Sequence, residues 1–269
     1  MNHSGEVGGG PGSGFWILNL LLIAAAGYAV GVLRLSARGV HWPVTRSVCA
    51  AAGLCCMAIA VLPPPPATGF SGHVVGHLLM AMLAPMLLAL SAPITLALRT
   101  TPAKVRRVLL SVLHSQLSRS AMTAPVVLVL NVSGAYVYYL TPLYDIAHRQ
   151  PWVQGVAHLH MFLAGCLFSW FLIGRDPLTK RPPVRTRLIV LLLAAASHDF
   201  LAKTLYAQQL PAAAGTPDEI QMGAQIMYYG GTTIEILFAI LVMTSWYQRS
   251  GRQLARERRQ RLRTATQVG

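Results

Sequence analysis

Charge is scarce in this chain of 269 residues: 11% of its side chains are charged and only 8 are acidic, where an average soluble domain carries roughly 25% charge. With 54% apolar residues and a mean hydropathy of +0.50, a water-soluble globule is excluded. Cysteine is equally sparse. Cys49, Cys55, Cys56 and Cys166 all lie in apolar runs and none forms a CxxC, so no disulfide framework, zinc-finger spacing or CxxCH haem attachment is implied. Nor is there a glycine-rich phosphate loop or a nucleophile elbow, and no enzymatic cycle is expected.

Long apolar runs take the place of these features. Seven stretches, about 15–33, 47–62, 72–98, 121–140, 153–173, 188–208 and 223–246, each approach the roughly 20 residues that cross a bilayer. The fold class expected is therefore all-α, a polytopic membrane protein of seven transmembrane helices. Residues 1–14 read as a disordered outer tail, 15–248 as the membrane domain and 249–269 as a basic cytoplasmic tail. The first run has no basic flank before it, only Glu6, and reads as a retained span rather than a signal peptide.

Of the 22 Lys and Arg residues, 20 fall in alternate connections or in the final tail. By the positive-inside rule this places the N-terminus outside and the C-terminus in the cytoplasm. The exceptions are Arg149, in an opposite loop, and Lys203, inside the sixth run. The net charge of +14 thus sets topology and meets anionic lipid headgroups, and nucleic acid is not an expected partner. Residues 99–119 mix leucines and basic side chains as an amphipathic helix along the cytoplasmic interface would.

Ionisable groups inside a bilayer cost about 2.5–3.5 kcal/mol each even on a lenient scale, so each needs a partner or a role. Five histidines fall within the runs: His73, His77, His158, His160 and His198, all toward the outer half. His73, His77 and Met80 share one narrow helical stripe at about 100° per residue. Imidazole and thioether suit copper, whereas calcium or magnesium needs an oxygen cage. Cys55, Cys56, Met57, Met161, Met222 and Met227 reach a similar depth. Methionine in an apolar span ordinarily just packs, and Met82, Met86, Met243 and each single cysteine are read that way. His158 and His160 stand about 200° apart on their helix, so one site takes one of them, and His160 is read as the inward member. Asp199 is four residues from Lys203, a spacing that allows an ion pair, while Glu235 has no local partner.

Several motifs occur in order: FSGHVVGHLLMAMLAPMLLALSAPITLALRT from Phe70, YYLTPLYD at 138–145, LHMFLAGCLFSWFLIGRDP at 159–177, RPPVRTRL after it, and SHDF at 197–200. Together they resemble the CtaG family of cytochrome c oxidase assembly factors, seven-span bacterial membrane proteins associated with copper delivery to haem–copper oxidases. The likeness covers about 70–240. It implies roles for His73 and His77 of the H-x-x-x-H, for His160 and for His198. Asp199, and the stretch DEIQMGAQIMYYGG that leads into the seventh run, depart from the family pattern.

The expectation is an inner-membrane protein holding copper as Cu(I) in a shallow, outward-facing site. Its ligands are His73, His77, Met80, His160 and His198, with His158, Asp199, Cys55, Cys56 and Met227 as secondary candidates. Asp199 orients His198 or takes up a proton released on binding. The expected partners are oxidase subunits, a periplasmic copper chaperone and membrane lipids, and homo-oligomerisation stays open. Three alternatives remain: a b-type haem protein, a proton-coupled copper transporter using Asp199, Lys203 and Glu235, and a scaffold that binds no metal.

Overall fold

The computed structural model describes residues 13–62, 69–176 and 182–268, and among these there are helices and turns but no strand. The expected outer tail lies outside the described residues except for Ser13 and Gly14, as do Pro63–Pro66, Lys180 and Arg181. Helices α1 (Ser13–Ala37) and α2 (Val44–Val61) form the first two spans.

The third span is broken twice, each time at a proline. It runs through α3 (Gly69–Leu78), a π-helical turn (Leu79–Leu83), α4 (Ala84–Ser91) and α5 (Pro93–Thr100). Pro85 has no N–H to give to the Ala81 carbonyl, and its ring would press on that oxygen in a regular α-helix. The widened turn relieves the clash, closing instead through the Ala84 N–H to Leu79 O bond. Pro93 follows Ala92, which sits in the left-handed region at φ 52°, and the chain changes direction there.

Two short helices, α6 (Ala103–Leu113) and α7 (Gln116–Ala121), occupy the expected interfacial segment and bury no side chain. Val105, Val108, Val112 and Leu117 stay exposed, as suits a helix lying on a bilayer surface. The fourth span is α8 (Ala124–Leu140), and it bends by 77° into α9 (Leu143–Arg149). Then come α10 (Pro151–Ile173), α11 (Val184–Gln208) and α12 (Pro217–Val268). Six of these segments are long and apolar enough to cross a membrane, and α8 with α9 makes a seventh. The basic segment 249–269 continues α12 as helix to Val268.

The termini of these helices are tied by specific side chains. Thr216 and Glu219 form a reciprocal capping box at the start of α12, with Thr216 N–H donating to Glu219 Oε2 at 2.7 Å and Glu219 N–H to Thr216 Oγ1 at 3.4 Å. At the basic end, Asp176 accepts from both the backbone and the hydroxyl of Thr95 at 2.6 Å, and from the Trp170 indole at 3.0 Å. It thereby satisfies the start of α5 from a distant loop. Arg187 donates to Leu172 O at 2.8 Å, closing the end of α10.

The core lies between α3, α10, α11 and α12, around Phe70, Phe168, Phe171, Leu201, Leu205 and Phe238. Helix α1 sits at the edge, and Leu20, Leu22 and Ile23 are more than 60% exposed. In lipid this carries no penalty, because the surrounding tails are as apolar as the side chains.

Candidate metal centre

A cavity of about 50 Å³ opens among α3, the π-helical turn, α8, α10, α11 and α12. At about 10–15 Å³ per water, it has room for an ion and a few waters. Its polar wall is His77, Asn131, Ser169, His198 and Glu235, and its apolar wall includes Met82, Met161, Phe168 and Phe238. His77 is only 7% exposed and Ser169 1%. Neither His77 Nδ1, Ser169 Oγ, nor either ring nitrogen of His198 has a hydrogen-bond partner. Buried polar groups left so are costly, and their convergence on one cavity fits a ligand that supplies the missing partners.

The densest group is His198, Asp199 and Glu235, whose ligand atoms all lie within 4.8 Å of one another. His198 Nδ1 is 3.7 Å from Glu235 Oε1, across the α11–α12 contact. Asp199 Oδ1 accepts from the Thr232 hydroxyl at 3.3 Å, and that hydroxyl also bonds back to Tyr228 O at 2.7 Å. Two glycines of α12 permit this approach. A side chain at Gly231 would run into the His198 ring, and one at Gly230 would strike Leu78. On the other side, the Tyr136 hydroxyl donates to Ser197 O at 2.9 Å and ties α8 to α11 beside His198.

The expected Asp199–Lys203 pair does not form. Lys203 is exposed, with its ammonium 5.2 Å above the Tyr228 ring. The long side chain lets the charge leave the bundle interior. Two carboxylates thus meet in the bundle with no lysine or arginine against them among the described residues' ion pairs. Like charges this close in a low dielectric repel each other, and a cation between them would offset that repulsion.

The other expected ligands are distributed differently. His73 leaves the cavity wall for an aromatic cluster, stacking on Tyr138 at 5.7 Å and on Phe70 at 6.1 Å between ring centroids. His158, not His160, is its neighbour from α10, at 6.3 Å, and His148 of α9 is at 5.5 Å. His160 instead packs against Gly134, where an added Cβ would fall 2.8 Å from its Nε2. Both members of the pair therefore face protein, His158 toward α3 and His160 toward α8.

Met80 faces α2, packed with Met57, Cys56 and Phe162 rather than with His77. Past His77 the π-helical turn brings residues four and five further on, Ala81 and Met82, to the cavity. Cys55 is exposed, and Met227 is wholly buried in the main core. Asn131 and Ser169, polar side chains within apolar runs, stand on the cavity wall beside the histidines and fall outside the imidazole and sulfur pattern. His148 lies outside every run and gave no comparable signal.

Comparison with known proteins agrees with this architecture. The family model for the cytochrome c oxidase caa3 assembly factor (CtaG) matches residues 26–249. Proteins named as uncharacterised from Mycobacterium bovis and Mycobacterium tuberculosis are each 28% identical over 260 residues, covering 88% of this chain and 39% of their own length. One from Mycobacterium leprae is 28% identical over 261 residues, covering 88% of this chain and 40% of its own. The chain thus spans about two fifths of the length of these relatives. No solved structure matches. With the match running through every span from the first to the last, the chain belongs to the cytochrome c oxidase caa3 assembly factor family.

Proposed function

We propose that this protein assists oxidase assembly by holding a copper ion between α3, α11 and α12 and releasing it to an oxidase subunit. The single observation that carries this reading is the convergence of His198, Asp199 and Glu235 within 4.8 Å. A cation there would relieve the two carboxylates and occupy the free imidazole nitrogens. His77 would join from across the cavity. The copper supplies no bond-breaking chemistry in this role, and no catalytic step is proposed.

The donor set bears on the metal's charge. Imidazole and carboxylate suit Cu(II), which both ionised carboxylates would neutralise. Cu(I), the state expected from the sulfur-rich layer, would leave one proton on the carboxylate pair and take Met82 or Met161 as its thioether. Both sulfurs stand on the wall. A porphyrin finds less support, because the space between the facing histidines is about 50 Å³. The transporter reading is weakened by Lys203, which stands apart from the acidic pair.

The resemblance and the positive-inside pattern support a reading of the protein as one of the bacterial cytoplasmic membrane, with its histidine-bearing end outward. The test is copper retained by purified protein, together with the copper content of the oxidase in cells carrying His198→Ala. Loss of both supports the reading. Unchanged values in both would assign the protein a scaffold role without metal.

A further inference from the structure

We propose that His148, His73 and His158 form a second metal station, nearer solvent than the His198 group, which receives the cation first and passes it inward. This rests on the proposed copper-holding role. The three imidazoles come from three elements, α9, α3 and α10, and meet around His73 at 5.5 and 6.3 Å between ring centroids. With metal–nitrogen bonds of about 2.0–2.1 Å, and ring nitrogens about 1.1 Å from the centroid, two imidazoles on one ion have centroids about 5–6.5 Å apart. Both observed separations fall within that interval, so modest ring rotations would close the site.

The local hydrogen bonding favours a ligand role. His148 Nδ1 lies 2.8 Å from the Tyr144 carbonyl oxygen. A carbonyl can only accept, so Nδ1 carries the proton and Nε2 is left with the lone pair a metal uses. Among the described residues no ion pair joins a carboxylate to these rings: Asp145, the acidic residue of α9, pairs with Arg149, and Glu219 accepts from Thr216. The cluster thus offers three imidazole nitrogen donors, a set suited to a late first-row transition-metal cation and poor for calcium or magnesium.

Burial is graded along the same line. His148 is exposed, His73 and His158 are half-buried, and His77 is buried at the cavity. His73 and His77 are one helical turn apart on α3, about 6 Å of rise. The donors therefore lead from the surface to the carboxylates at spacings that one ion could cross by exchanging imidazoles. Tyr138, Tyr139 and Tyr144 pack around His73.

The experiment titrates Cu(II) into the purified full-length protein and reads stoichiometry by equilibrium dialysis and nitrogen coordination by electron paramagnetic resonance. Wild type is expected to bind two ions, one in a nitrogen-rich and one in a mixed nitrogen–oxygen environment. H148Q/H158Q should bind one and lose the nitrogen-rich signal, while H198A should keep that signal and lose the other. H148Q alone, at an exposed position, should weaken the outer signal at least about tenfold without a change in helix content. Two ions retained by H148Q/H158Q, or a single wild-type ion that H198A removes, overturns this proposal and leaves the inner site standing. A single ion removed by H148Q/H158Q but not by H198A supports the outer station and overturns the inner one. No bound copper overturns both.

Discussion

Glu235 Oε1 faces His198 Nδ1 at 3.7 Å, the one ion-pair contact between membrane-spanning helices among the described residues. Because Asp199 sits within the same 4.8 Å group, the Glu235 carboxylate has both a donor to orient and a like charge to oppose. Glu235→Gln keeps the shape and removes the charge. Copper affinity should fall by about 10–100-fold with little change in melting temperature, the effect usual for losing a group that orients or completes a metal site. Competition with a copper chelator, alongside thermal melting in detergent, measures both.

Gly231 is where α12 yields to His198. Gly231→Ala should push the imidazole off Glu235 or force α11 and α12 apart, at about 1–3 kcal/mol for overpacking. Reduced copper retention together with a lower melting temperature is the expected pair of results. Gly27→Ala, where an added Cβ meets nothing within 4 Å, is the control and should be close to neutral.

The π-helical turn has its own glycine contact. A Cβ at Gly165 of α10 would collide with the Ala81 carbonyl, which Pro85 leaves without its regular helical partner. Backbone cannot swing aside as a side chain does. Gly165→Ala should therefore cost more stability than Gly155→Ala on the same helix, which meets no neighbour. Comparative melting of the two variants checks the order, and equal values would show that α10 can shift along the turn.

Asp176 holds the start of α5 through Thr95 and the indole of Trp170. Asp176→Ala should destabilise the basic end by about 0.5–2 kcal/mol, the range for a lost helix cap. Tryptophan emission should also change as Trp170 loses its partner. Copper binding should not change, because neither Asp176, Thr95 nor Trp170 lines the cavity.

Lys203→Met removes a charge that lies over Tyr228 and not against Asp199. Its contribution is that of an exposed cation over a ring, about 0.5–1 kcal/mol. Copper affinity should stay within about twofold of wild type, measured by the same chelator competition. A large loss would restore Lys203 to the acidic group and revive a proton relay.

The spans were legible because hydrophobic length is a one-dimensional property, and the interfacial helices because leucines and basic residues alternate. The site was legible only in part. His77 and His198 stood out as imidazoles at depth, and both line the cavity. Met80 shares the stripe of His73 and His77 only in a regular helix, whereas the third span widens at Leu79–Leu83, and Pro85 is the sign of it in the sequence. Lys203 satisfied the spacing rule for Asp199, yet spacing allows a pair without compelling one, and Tyr228 of another helix offered an alternative. Choosing His160 over His158 supposed a single inward face. Helix α10 is flanked on both sides, so each histidine finds a protein neighbour. Glu235 has its partner on α11, a relationship between helices that no single-helix periodicity encodes.

The most direct measurement is an anomalous difference map of the copper-loaded protein recorded at the copper absorption edge. The account predicts a peak between His198 and Glu235, within bonding distance of Asp199 or His77. A peak confined to Met57, Met80 and Cys56, or copper retained undiminished by H198A/E235Q, would contradict it.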